Sequence, residues 1–101
     1  MAALRDDLAA EAGITERRMF GAHMLLKDGH LLAGVSARGQ ALFRVDPEGI
    51  AAALALPGVE PAIMGARVMK GFVALDAAAG AGPRRALLAQ ALAFVASLPP
   101  P

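Results

Sequence analysis

The dipeptide Asp28-Gly29 lies between two apolar runs, with Lys27 before it and His30 after it. Asp-Gly in that setting specifies a type I′ hairpin turn, in which both central residues take positive φ. Such a turn sets register as well as topology. Lys27 is expected opposite His30, Leu26 opposite Leu31, and Met24 opposite Ala33. One face of the hairpin then carries Phe20, Ala22, Met24, Leu26, Leu31, Ala33 and Val35, nearly all apolar, and is expected to hold the helices. The other carries Met19, His23, Leu25, Lys27, His30, Leu32 and Ser36. If Arg38-Gly39 is also a two-residue turn, Phe43 and Val45 join Leu25 and Leu32 there. A solvated face would alternate more cleanly between apolar and polar residues. This one is therefore expected to be covered, either by a helix of the same chain or by another subunit.

The remaining elements follow from periodicity and punctuation. Leu4, Leu8 and Ala12 recur at helical spacing, so a helix is expected over Ala2–Ala12, stopped by Gly13. Thr15 and Glu16 lead into a strand, Arg17–Leu26. Strands Leu31–Ser36 and Ala41–Val45 come next. Asp46-Pro47-Glu48 is a helix start, with Asp as the cap, Pro in the first helical position and Glu at the positive end of the dipole. That helix should run to about Leu56 and stop at Pro57-Gly58. A short extended piece over Pro61–Met64, a turn at Gly65-Ala66 and a strand Arg67–Leu75 follow. The loop from Asp76 to Gly82 precedes a helix opened by Pro83, Arg84–Leu98, with a broad apolar stripe through Leu87, Leu88, Ala91, Leu92, Phe94, Val95 and Leu98. The expected fold class is α+β: a mostly antiparallel five-stranded sheet with three helices, in the order α-β-β-β-α-β-β-α, as one domain over residues 1–101.

Composition narrows the function. The chain has 101 residues, 56% of them hydrophobic, and a net charge of +1. Disorder requires the opposite balance. A strongly basic nucleic-acid module needs surplus cations to neutralise phosphates, so direct nucleic-acid binding is not expected. There is no cysteine, which excludes disulfides, thiolate metal sites and a cysteine nucleophile. Alanine accounts for 25 residues, so the apolar fraction overstates the large side chains available for a core. The charged start Arg5-Asp6-Asp7 is unlike a signal peptide. The longest uncharged run, from Ala86 to the end, falls short of the ~20 apolar residues of a membrane span. A cytoplasmic protein without a membrane partner is expected. Eight Arg against two Lys, with abundant Ala, Gly and Pro, point to a GC-rich bacterial genome.

No catalytic constellation emerges. His23 and His30 share a face but stand about 13 Å apart along the strands at ~3.3 Å per residue, too far to share a metal. Ser36 and Ser97 lie at element ends, outside any Gly-x-Ser-x-Gly elbow. Gly80-Ala81-Gly82 precedes a helix but lacks the lysine of a phosphate-binding loop. Neither a catalytic residue, a metal nor a cofactor is expected. Arg84-Arg85 occupy the first turn of a helix, where the dipole disfavours cations. They point either to solvent or to an acidic partner.

Several segments together resemble the N-terminal domain of the TfoX/Sxy competence-regulator family. They are Arg17-Arg18-Met19-Phe20-Gly21, Lys27-Asp28-Gly29, Phe43-Arg44-Val45-Asp46, Met69-Lys70-Gly71-Phe72-Val73 and the closing Leu98-Pro99-Pro100. Their order and spacing carry the resemblance, which covers nearly the whole chain. It implies an α+β domain like that of type III secretion chaperones. It also implies a regulatory rather than enzymatic role, exercised with a protein partner in transcription. The expectation is a single-domain member of the family.

Two functional expectations result. The first is a non-enzymatic interaction or regulatory domain that forms a homodimer, with Leu25, Leu32, Phe43 and Val45 as the interface. The second is a binding module for a small anionic ligand or nucleic acid, built from Arg17, Arg18, Arg44, Arg67 and Lys70.

Overall fold

In the computed structural model, Asp28 and Gly29 take φ of +50° and +86°, both positive as a type I′ turn requires. The structure describes residues 1–19, 21–64 and 66–101, apart from the side chains of Met64 and Ala77. The fold is α+β. Its helices are α1 (Ala2–Asp7), α2 (Ile50–Leu54) and α3 (Ala81–Ala96). Its strands are β1 (Ile14–Met19), β2 (Ala22–Lys27), β3 (His30–Val35), β4 (Ala41–Arg44), β5 (Val59–Met64) and β6 (Arg67–Leu75). They form one antiparallel sheet in the order β1-β2-β3-β4-β6-β5.

Among the described residues the sheet has six strands, not the expected five. The stretch read as one strand, Arg17–Leu26, folds back on itself, and β1 pairs with β2 from Met19 opposite Ala22 to Ile14 opposite Lys27. Gly21 takes φ +75° at this reversal, a conformation that costs glycine little. Helix α1 is also shorter than Ala2–Ala12. Beyond Asp7 the chain tightens, with Ala9 N–H donating to Asp6 O. Ala12 and Gly13 thereby reach the β2–β3 turn, where Ala12 O accepts from Lys27 Nζ and Gly13 O accepts from Asp28 N–H.

The register departs from expectation in two places. Next to the turn, Lys27 pairs with His30 and Leu26 with Leu31, but the pairing then shifts so that Leu25 faces Ala33 and Met24 faces Gly34. Leu32 is the extra residue of a β-bulge, which puts Leu32 and Ala33 in the same core cluster. Gly34 fits there because it has no side chain: a Cβ would stand 2.6 Å from His23 O and 2.5 Å from the Met24 sulfur. The second departure is at Arg38-Gly39. Ser36 N–H donates to Gln40 O, so the loop has three residues rather than two, and Ala33 faces Phe43.

These slips largely cancel for the face containing Leu25, Leu32, Phe43 and Val45. The four do lie together, but not on an intersubunit surface. Each is at most 1% exposed, in a cluster with Leu4 from α1, Leu8 just beyond it, Ala53 from α2 and Leu87, Leu88, Ala91 and Val95 from α3. The expectation of a dimer interface at these four residues is therefore corrected: they are the helix-covered core of a single chain. The bulge supplies the reason, since it brings Ala33 and Val35 onto this face and makes it the more continuously apolar one. The face expected to hold the helices instead carries a smaller cluster of strand residues: Ala22, Met24, Leu42, Ala62, Phe72 and Ala74, with Leu31 beside them. Phe20, expected on that face, lies outside the described residues.

Two aspartates act as caps, Asp46 where the sequence signals it and Asp76 within a stretch read from the sequence as a loop. Asp46 Oδ1 accepts from Glu48 N–H at 3.0 Å, opening a 3-10 turn at Pro47–Gly49 that leads into α2. Asp76 Oδ1 accepts from Ala78 N–H at 2.8 Å in the segment before α3. No described helix is long and apolar enough to cross a membrane.

Candidate functional site

The five cations considered as a ligand site are dispersed by the topology. Arg17 and Arg18 stand on edge strand β1, and as consecutive strand residues they point to opposite faces. Arg67 and Lys70 stand on β6, beyond three intervening strands. Arg44 ends β4, where its Nη1 donates to Leu31 O at 3.3 Å and its guanidinium lies 5.5 Å from the centre of the Phe94 ring. That geometry ties β4 to β3 and α3. The five do not share one surface.

The helix-start arginines have an acidic partner, and it is internal. Arg84 Nε donates to Asp7 Oδ2 at 2.6 Å, and Arg85 Nε donates to Asp7 Oδ1 at 3.3 Å. The Asp7 side chain is only 7% exposed. Hydrogen bonding from Arg84 holds its carboxyl below the usual carboxylate range, against a smaller opposing effect of burial. Residue spacing could flag the anomaly at Arg84-Arg85 but could not name Asp7, because the contact exists only once α1 lies against α3.

A second polar group joins α1 to the sheet. Arg5 Nε and Nη2 grip the two carboxylate oxygens of Glu16 at 2.8 and 2.7 Å, and His23 Nε2 lies 2.8 Å from Glu16 Oε1. The Arg5 hydrogen bonds lower the Glu16 pKa. His30 Nε2 lies 2.8 Å from Pro99 O, and Ser97 Oγ donates to Phe94 O at 2.6 Å. Ser36 Oγ accepts from Gln40 N–H at 3.2 Å. Each of these side chains joins elements or closes a turn. Among the described residues, no group of three or more His, Asp or Glu side chains comes together.

The surface that stands out is apolar. Ile63 and Val68 are the large hydrophobic residues left exposed among those described, at 55% and 59%. They face each other across the β5–β6 pair. Beside them a groove of about 480 Å³ runs between α2 and β6, lined by Pro47, Ile50, Leu54, Pro61, Val68, Met69, Lys70, Gly71 and Phe72. In the sequence, Ile63 and Val68 read as strand residues flanking a turn. Their exposure depends on how far the hairpin extends past the body of the sheet, which periodicity does not reveal.

The TfoX N-terminal domain family model matches residues 6–94 of this chain. No curated protein and no solved structure matches it. The matched span takes in all six strands, α2 and nearly all of α3, together with both sides of the groove. The chain belongs to the TfoX N-terminal domain family.

Proposed function

We propose that this chain is a non-enzymatic interaction domain of regulatory type, which engages a protein partner through the groove between α2 and the β5–β6 hairpin. The observation that carries the reading is the coincidence of Ile63 and Val68, both more than half exposed, with an apolar groove on the same side of the molecule. Exposed apolar area of this kind, next to a concave apolar surface, is what protein-binding sites present. The polar side chains described above are engaged in structural contacts, and the cations considered for an anionic ligand do not converge.

The test is selection of peptides on the immobilised protein from a random library, followed by titration of the selected peptides into ¹⁵N-labelled protein. The amides of Ile50, Leu54, Val68 and Met69 are expected to shift. Inorganic phosphate, ATP and a DNA duplex, titrated in the same way, are expected to leave Arg17, Arg18 and Arg67 unmoved. Saturable shifts at those arginines, with no peptide reaching the groove, would replace this reading with an anionic-ligand module.

A further inference from the structure

Resting on the reading of this groove as an interaction site, we infer that its occupant is the same region of a second copy of the chain, in a two-fold symmetric dimer. A two-fold interface needs a surface that is complementary to itself. Here the projecting feature and the receiving feature lie side by side. Ile63 and Val68 project from the β5–β6 hairpin, and the groove along Ile50, Leu54 and Pro61 adjoins them. A half-turn about an axis between the two sets each copy's projecting pair into the other's groove.

Charge follows the same plan. At the groove's α2 end stands Glu48, exposed and next in sequence to the lining residue Pro47, while Lys70 is itself part of the lining. At the hairpin end stands Arg67, also exposed and paired in register with Met64. Antiparallel apposition of two copies sets Glu48 of one against Arg67 of the other, twice by symmetry. A parallel arrangement would oppose like charges, which disfavours it.

The backbone disfavours the simpler route of joining sheets edge to edge through β5. Val59 N–H is already bonded to Leu56 O, and Pro61 has no N–H to give. Side chains therefore have to make the contact. A standard interface covers ~800 Å² on each partner, roughly one seventh of the 5811 Å² surface. The contact must then run the length of the groove rather than involve the hairpin tip alone.

Sedimentation equilibrium from low micromolar to millimolar concentration tests this on the full chain. The wild type is expected to dimerise, and Val68→Glu to sediment as a monomer whose melting temperature matches the wild type's at low micromolar concentration, where the monomer prevails. Glu48→Arg and Arg67→Glu should each weaken the dimer by about tenfold or more, since each creates two like-charge contacts. An equimolar mixture of the two variants should restore association, because each of the two contacts in the mixed dimer again joins opposite charges. A wild type that stays monomeric at millimolar concentration overturns the inference. So does a dimer indifferent to Val68→Glu, or single variants that mixing does not rescue. Selected peptides that shift the groove amides of a monomeric protein would leave the interaction reading standing while removing the second copy as its occupant.

Discussion

Asp7 and Arg84 meet across 77 positions of sequence, with Arg84 Nε 2.6 Å from Asp7 Oδ2. One end of the chain is thereby fastened to the start of the last helix, and a placement that looks unfavourable for arginine acquires a local reason. The pair predicts a pH-dependent contribution to stability. Because Arg84 depresses the Asp7 pKa, the contribution is complete above the unfolded carboxylate value, about 3.9, and is lost as pH falls through the folded value. Asp7→Asn should cost about 2 kcal/mol at neutral pH. The difference from wild type should narrow as the pH drops below about 4. Urea unfolding of both proteins at neutral and acid pH measures it, and a difference that stays constant with pH would contradict the assignment.

Leu32 sits in the helix-covered core, fully buried beside Leu25 and Phe43. Leu32→Ala should cost about 2–5 kcal/mol, through lost transfer energy and the cavity left behind. Leu32→Glu should unfold the chain, because it buries a charge without a partner. Circular dichroism and denaturant titration read both. A folded, monomeric Leu32→Glu protein would show that this face is intersubunit after all.

The face shared by Leu25, Leu32, Phe43 and Val45 was legible in the sequence, and what covers it was not. The Asp28-Gly29 turn, the Asp46 cap and the stripe on the last helix each follow from local chemistry, and each is present in the fold. Register beyond the turn was not legible, because a bulge at Leu32 and a three-residue loop after Ser36 each move the pairing by one position without changing composition. The sixth strand was hidden for a similar reason. Arg17–Leu26 reads as one apolar-rich run, and the single glycine within it gives little indication of a full reversal. The groove was harder still, since Ile50 and Leu54 come from one segment and Pro61, Val68 and Phe72 from another, and only tertiary packing brings them together.

Gly34 pairs with Met24 where β3 leaves no room for a side chain against β2. Gly34→Ala should destabilise the protein by about 1–3 kcal/mol, as overpacking does, because backbone at His23 O blocks the new methyl group. Thermal unfolding measures the loss. A neutral result would mean that the bulge at Leu32 relaxes to admit a side chain.

Ile63 and Val68 are exposed, so their replacement should leave the isolated fold almost untouched. Ile63→Ser and Val68→Ser are each expected to change stability by no more than about 0.5 kcal/mol. Denaturant midpoints at low micromolar concentration, where the monomer prevails, supply the measurement. A large loss in either variant would place these side chains in the core.

We propose that the groove beside Val68 receives a second copy of the chain, with the Leu25 and Leu32 face sealed inside. Isotope-filtered NOE spectroscopy tests it most directly, on a millimolar mixture of ¹³C-labelled and unlabelled protein. The account predicts intermolecular NOEs from the Val68 methyls to Ile50 and Leu54. A sample with no intermolecular NOEs, or with NOEs only at other surfaces, would contradict it.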